Sequence, residues 1–361
     1  MTKKPATLKD VAASAGVSLA MASRVLSKYG SYSNATRERV ETAAHELSYR
    51  ANGVARSLRL QRTNSVGVLI SQIASYHWTT FVQGVEEAAR QAGYHVILCN
   101  TNDDPKRELE YLAEMRERGV DGIIASPLAA NHRAFKQLGP AGFPAVVVNA
   151  QIAGSKLVHI TSDDRSAAVD AVRHLADFGH RRIGIVAGPQ EFETGRARLG
   201  GYRDALKQLG MPEDETLIAY GDFKQVGGYE ATRSLIGLPT PPTAILVCSE
   251  LMSGGVLRCL KDHGVRIPDE MSVIAFDDPD WASFFTPSMS CLREERFYMG
   301  KLAFDALVAN IEDRASPAGQ TREIVLKSEL IQRESVAAPR TNTRQLDQVL
   351  PSDMSYDTGA M

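Results

Sequence analysis

The chain opens on three short amphipathic segments. Leu8, Val11, Ala12 and Ala15 recur at helical spacing behind Thr7, and Asp10 stands three residues after Thr7, so the spacing predicts a helix capped by Thr7 and broken at Gly16. Ser18 is the next cap candidate. Behind it Ala22, Val25 and Leu26 share one face, which leaves Leu19, Ala20, Ser23 and Arg24 outward. Ser33 caps a third segment with the apolar face Val40, Ala43, Ala44 and Leu47. Three small helices about the tight turn Ala15-Gly16-Val17 predict a helix-turn-helix.

From Ser65 the period changes. Apolar runs at 65–70, 94–100, 120–127 and 145–150 read as buried strands, alternating with helical patterns near 79–92 and 104–118. A second series places strands at 182–187, 217–221, 244–248 and 272–276, with helices near 165–178, 196–209, 226–236 and 250–263. Such alternation predicts parallel sheets, and two series predict an α/β body of two similar lobes. Ligands of these sheets bind beyond the carboxyl ends of the strands, so the space between the lobes is the candidate site.

Charge changes this picture more than composition does. The 361 residues carry a net charge of -2, yet residues 1–62 hold eleven lysines and arginines against only Asp10, Glu38, Glu41 and Glu46. A basic module on an acidic body points to a polyanionic partner. In a helix-turn-helix the second helix enters the major groove by its N-terminal end, so Leu19, Ala20 and Arg24 are the expected base readers. Arg24 suits a bidentate contact with guanine, and Leu19 and Ala20 suit a thymine methyl. Lys9, Ser14, Arg37, Arg39 and Arg50 are assigned to phosphates or solvent. Apolar runs such as Ala145–Val148 are far too short for a membrane span, and the charged start Met1–Pro5 leads into no apolar segment before Lys9 and Asp10. The expectation is a cytoplasmic protein without a membrane partner. Cys99, Cys248, Cys259 and Cys291 form no Cys-x-x-Cys and are expected to be inert thiols.

Several blocks together carry a resemblance. Thr7-Leu-Lys-Asp-Val-Ala-Ala-Ser-Ala-Gly-Val-Ser18, Ser23-Arg-Val-Leu26, Thr36-Arg-Glu-Arg-Val40 and Leu47-Ser-Tyr-Arg-Ala-Asn-Gly-Val-Ala-Arg-Ser-Leu58 resemble the headpiece of the lactose-repressor and galactose-repressor (LacI/GalR) family. The resemblance continues to about residue 336. It implies a helix-turn-helix headpiece over 1–51, a hinge helix and linker over 52–64, and a two-lobed effector domain of the type I periplasmic-binding-protein kind over 65–336. Lobe 1 would span about 65–162 and 293–322, and lobe 2 about 163–292 and 323–336. The tail 337–361, with Pro339, Pro351 and Gly359, is expected to be disordered and to lack a tetramer-forming helix.

The same resemblance implies DNA contacts by Thr7, Ser18, Leu19, Ala20, Ser23, Arg24, Thr36 and Arg37. In the hinge it adds Asn52, Ala55, Leu58 and Arg59, with Leu58 as a wedge in the minor groove. Ala51 departs from the family's usual proline. For the effector it implies His77 and Trp78 after the first strand, and Phe192, Thr194 and Arg198 on the loop and helix start Gly188–Tyr202. Phe223, Ser249 and Asp277 complete the set; Arg196 is the next candidate, read more readily as a surface ion pair. Phe192 replaces an arginine of purine-binding members, Asn149-Ala150 replaces Asp-Arg of ribose-type members, and Ser249-Glu250 replaces Asn-Asp. The implied function is a transcription regulator, a repressor in most of the family, binding a palindromic operator as a homodimer under allosteric control by a small polar effector, a sugar, sugar acid or similar. No cofactor, metal or catalytic residue is expected: an enzyme would need a positioned nucleophile, a phosphate loop or metal-ligand spacing, and none is present. A secreted solute-binding protein would share the body but not the headpiece.

Overall fold

The computed structural model describes residues 6–27, 30–49, 62–139, 142–312 and 323–339. Asn52, Ala55, Leu58 and Arg59 lie outside the described residues, as does the tail from Arg340.

The N-terminal module consists of α1 (Leu8–Ser14), α2 (Leu19–Leu26) and α3 (Asn34–Glu46). Thr7 and Asp10 form a reciprocal capping box, and Ser18 and Ser33 accept from Met21 N–H and Thr36 N–H to cap the next two helices. Gly16 ends α1 at φ +63°, a left-handed conformation that an L side chain adopts only with strain. Val11, Ala12, Ala15, Ala22, Val25, Val40, Ala43 and Ala44 form the core. Leu47 falls on the C-cap of α3 and stays 37% exposed, outside that core.

The body holds two six-stranded sheets. The first contains β1 (Ser65–Ile70), β2 (His95–Asn100), β3 (Gly122–Ala125), β4 (Ala145–Val148), β5 (Val158–Ser162) and β11 (Glu323–Leu326), in the order β11-β5-β4-β3-β1-β2. The second contains β6 (Ile183–Ala187), β7 (Ile218–Tyr220), β8 (Ala244–Val247), β9 (Ser272–Phe276), β10 (Ser290–Glu294) and β12 (Ser328–Ile331), in the order β12-β10-β9-β8-β6-β7. β12 runs antiparallel to β10, and β6, β8, β9 and β10 pair in parallel. Helices cover the sheets: α4 (Tyr76–Gln91), α5 (Pro105–Glu117) and the short α6 (His132–Phe135) in the first lobe, and α7 (Asp164–Asp177), α8 (Glu193–Gln208), α9 (Gln225–Ile236), α10 (Glu250–Asp262) and α11 (Asp280–Phe284) in the second. The long α12 (Arg296–Glu312) returns to the first, where Met299, Ala303, Phe304, Leu307 and Ile311 join its core. No helix of the described residues is long and apolar enough to cross a membrane.

The chain therefore passes between the lobes three times, after β5, after β10 and between β11 and β12. The last passage corrects the sequence reading, which assigned 323–336 wholly to the second lobe. Glu323–Leu326 pairs in parallel with His159–Ser162 of the first sheet, and only after Lys327 does the chain pair with β10. The return to the first lobe likewise begins after Glu294, because Ser290–Glu294 belongs to the second sheet. Val336, the last residue expected in the body, is in the second core, and Ala337, expected to open the tail, is held too: it exchanges hydrogen bonds with Ser272 and accepts one from His180 Nε2.

Candidate functional site

Strand ends and helix starts converge between the two lobes on a cavity of about 80 Å³. His77, Trp78, Phe192, Thr194, Arg198, Phe223, Ser249 and Asp277 all line it, joined by Ser71, Gln72, Ser75, Asp103, Ser126, Asn149 and Leu251. Asn149 after β4, Phe223 after β7 and Asp277 after β9 have φ of 53°, 57° and 68°. Left-handed backbone is costly for a phenylalanine and persists where the surroundings fix it. Here Gly188 supplies the condition: a Cβ on it would stand 2.2 Å from the Phe223 ring, so only glycine leaves room for that ring in the wall.

Beneath the cavity lies a buried polar network. Arg198, 2% exposed, donates Nε–H to Asp164 Oδ1 at 2.6 Å, Nη1–H to the Cys248 carbonyl at 2.7 Å and Nη2–H to Glu294 Oε1 at 3.2 Å, with its guanidinium 4.0 Å above the centre of the Phe276 ring. Arg296 pairs with Glu294 and donates Nη1–H to Asn149 Oδ1 at 3.1 Å. Asn149 then donates Nδ2–H to His77 Nε2 at 2.8 Å, which assigns the His77 proton to Nδ1, where it faces Asp277 Oδ1 at 3.3 Å. Sequence reasoning found Arg198, Asp277 and His77 but missed Asp164, Glu294 and Arg296 as their partners. The signal was there: Asp163-Asp164 follows a strand of buried residues, and Glu294-Glu295-Arg296 interrupts an apolar run.

These contacts set the charges. Burial, reinforced by the Arg296 guanidinium, lowers the His77 imidazole to about 4 against the pull of Asp277, so it is neutral at pH 7. Burial alone would raise the Asp277 carboxyl, but the His77 hydrogen bond and the Arg296 and Arg198 charges hold it below the usual carboxylate range. His77, Asp277 and Glu294 bring ligand-type atoms within 4.8 Å of one another. Glu294 is already paired with both guanidiniums, so a cation there would compete with two fixed charges.

A neutral buried histidine has a consequence for stability. Its folded pKa is depressed below the unfolded 6.5, so its contribution is complete above that value and is lost as pH falls toward 4. Between pH 7 and pH 5 the loss should be about 2 kcal/mol. Glu108 and Glu250, both raised to about 7 by burial, act in the opposite direction, so the test compares proteins rather than pH values. In urea melts, His77→Gln should lose about 2 kcal/mol less than the parent between these two pH values. Equal losses would mean that His77 is not held neutral.

Trp78 serves two purposes. It is 7% exposed and packs edge-on against Phe81 at 5.7 Å in the first-lobe core, while one part of it lines the cavity. Arg196 is a surface residue, bound to Glu193 and to the Gln190 carbonyl. On the N-terminal module, Leu19, Ala20 and Arg24 share the exposed side of α2, Leu19 being 52% exposed, and Arg37 is exposed on α3. Thr7 and Ser18 are engaged as caps; the Thr36 hydroxyl lies 2.9 Å from that of Ser33, and Ser23 is half-buried. All four cysteines are free and buried, and burial pushes the thiols of Cys248, Cys259 and Cys291 up to about 12.

Residues 7–52 match the family of bacterial regulatory proteins named lacI, and residues 172–336 match the periplasmic binding protein-like domain. The ribose operon repressor of Escherichia coli strain K12 is 33% identical over 334 residues, covering 91% of this chain and 99% of the relative. The chain belongs to the lacI family. The HTH-type transcriptional repressor PurR of Photobacterium profundum is 30% identical over 332 residues, covering 92% of this chain and 98% of that protein. Among solved structures, the lac repressor dimer bound to operator and the anti-inducer ONPF superposes with a TM-score of 0.81 at 25% identity, over 93% of this chain and 100% of that one. This lacI-family chain is thus a transcription regulator with a helix-turn-helix DNA-binding module and a periplasmic-binding-protein-like body, and both of these relatives are repressors.

Proposed function

We propose that this regulator is a repressor that binds a palindromic operator as a homodimer in the cytoplasm, and that a small polar effector in the interlobe cavity alters its hold on that operator. The observation that carries the reading is a single chain joining an exposed reading face, Leu19, Ala20 and Arg24, to a body whose two lobes line a polar, aromatic-walled cavity. One headpiece of about fifty residues contacts too few bases to select a site in a genome, whereas two reading a palindrome roughly square the discrimination. The apolar surface of Phe284, 74% exposed beside Phe285, supports self-association. The related lac repressor structure, a dimer on operator DNA with a small molecule bound, supports the same arrangement. The two-lobed fold supports effector control, because a ligand preferring one disposition of the lobes shifts the population of that state.

Selection of the full chain against random DNA tests the reading. A two-fold symmetric motif is expected. Arg24→Ala should cost about 1 to 3 kcal/mol on it and relax one base pair in each half-site. Arg37→Ala should instead weaken all sequences alike and reduce the salt slope by about 1. An asymmetric motif, or an Arg24 variant selecting the parent's motif, would overturn the assignment.

A further inference from the structure

The interlobe space does not end at the aromatic-lined cavity. A second compartment of about 290 Å³ adjoins it, and Asn149 from the first lobe and Thr194 from the second line both. Its remaining wall also comes from both lobes: Gln151, Ser162 and Glu323 on one side, Asp163, Glu193 and Arg196 on the other. This compartment has no aromatic lining: apart from Ala197 and Val325 it is built from carboxylates, two amides, hydroxyls and guanidiniums. Ser162 is 9% exposed, and its hydroxyl finds no hydrogen-bond partner, a costly state for a buried polar group.

The two compartments differ in what they suit. The inner one, with Trp78, Phe192 and Phe223, offers flat apolar faces above the Asp277 carboxylate, room and chemistry for one compact ring. The outer one has Asp163, Asp164, Glu193 and Glu323 against Arg165 and Arg196, so a second anionic group would meet an excess of negative charge. Both guanidiniums are engaged, Arg165 by Asp204 and Arg196 by Glu193, and Gln151 and Glu323 are hydrogen-bonded to each other. Carboxylates so held still have lone pairs for hydroxyl donors. An apolar extension would displace the water on their remaining lone pairs and replace it with nothing.

We infer that the effector has two units, a saccharide of at least two residues with one ring in the inner cavity and a second, neutral and hydroxyl-rich unit in the outer compartment beside Gln151, Ser162 and Glu323. The inference rests on the reading of the inner cavity as the effector site.

The test pairs D-glucose with maltose and cellobiose, and D-galactose with lactose and melibiose. Binding to the full chain is screened by thermal shift and measured by calorimetry. At least one disaccharide should bind about tenfold or more tighter than either of its monosaccharides. Gln151→Ala and Arg196→Ala, both outside the inner cavity, should remove most of that advantage and leave monosaccharide affinity unchanged. Monosaccharides binding as tightly as disaccharides, or no disaccharide binding at all, would overturn the inference. So would a sugar whose binding is lost in Phe223→Ala or Asp277→Asn but is indifferent to Gln151→Ala and Arg196→Ala, and that outcome would keep the inner cavity as the effector site. A sugar that binds all four variants as it binds the parent would remove that reading as well.

Discussion

Replacing Arg198 by alanine should destabilise the two-lobed body by about 3 to 5 kcal/mol, the cost of leaving buried charges without their partner. Asp164 and Glu294 are each nearly inaccessible and both accept from this guanidinium, as does the Cys248 carbonyl. Arg198→Lys should recover only part of the loss, because one ammonium cannot reach three acceptors set out for a planar fork. Arg196→Ala, two positions earlier, removes an exposed pair with Glu193 and should cost below about 1 kcal/mol. Urea melts followed by the fluorescence of Trp78 and Trp281 separate the three. Midpoints for Arg198→Ala and Arg196→Ala that coincide would show that the network contributes nothing. Retention of the chain on nonspecific DNA should persist in every variant, since the core of the N-terminal module contains none of these residues.

That prediction depends on partners that one-dimensional patterning does not reveal. The helix-turn-helix was legible because its caps and apolar positions are local: Thr7 with Asp10, Ser18 ahead of α2, and Ala22 and Val25 on the buried face of α2 away from Leu19. Eight of the twelve described strands were legible as apolar runs, while β5, β10, β11 and β12 were not singled out, and eight of the fifteen residues lining the inner cavity were named by resemblance. Which strand pairs with which was not legible. Glu323–Leu326 and Ser328–Ile331 are separated only by Lys327, yet β5 claims the first and β10 the second. Period-two alternation reports which face is buried and carries no information on the partner. Likewise Asp164 and Arg198 sit far in sequence from the neighbouring Glu294 and Arg296, and the four become a network only after the chain has passed between the lobes.

Gly84→Ala should destabilise the first lobe by about 1 to 3 kcal/mol, and Gly84→Val by about 3 kcal/mol or more, against the helix-propensity gain that alanine normally brings. A Cβ on Gly84 would lie 2.0 Å from the Phe297 carbonyl oxygen, and one on Gly300 would lie 2.1 Å from the Phe81 carbonyl oxygen. α4 and α12 therefore touch backbone to backbone at two reciprocal points, and nothing there is a side-chain end that can swing away. The contact matters for the site because α4 begins with Tyr76, His77 and Trp78 and α12 begins with Arg296. Pushing the helices apart moves His77 from Asn149 and Asp277 while Arg296 stays tied to Glu294, so the effector's stabilising shift should shrink along with the unfolding midpoint. Gly254→Ala on α10 is the control: its Cβ would meet nothing closer than 3.5 Å, and it should be neutral or stabilising by up to about 1 kcal/mol. Gly84→Ala and Gly300→Ala should combine to less than their sum, since either one already opens the crossing. Equal midpoints for Gly84→Ala and Gly254→Ala would mean that the helices separate without cost, and the rigid placement of His77 and Trp78 would then need another cause.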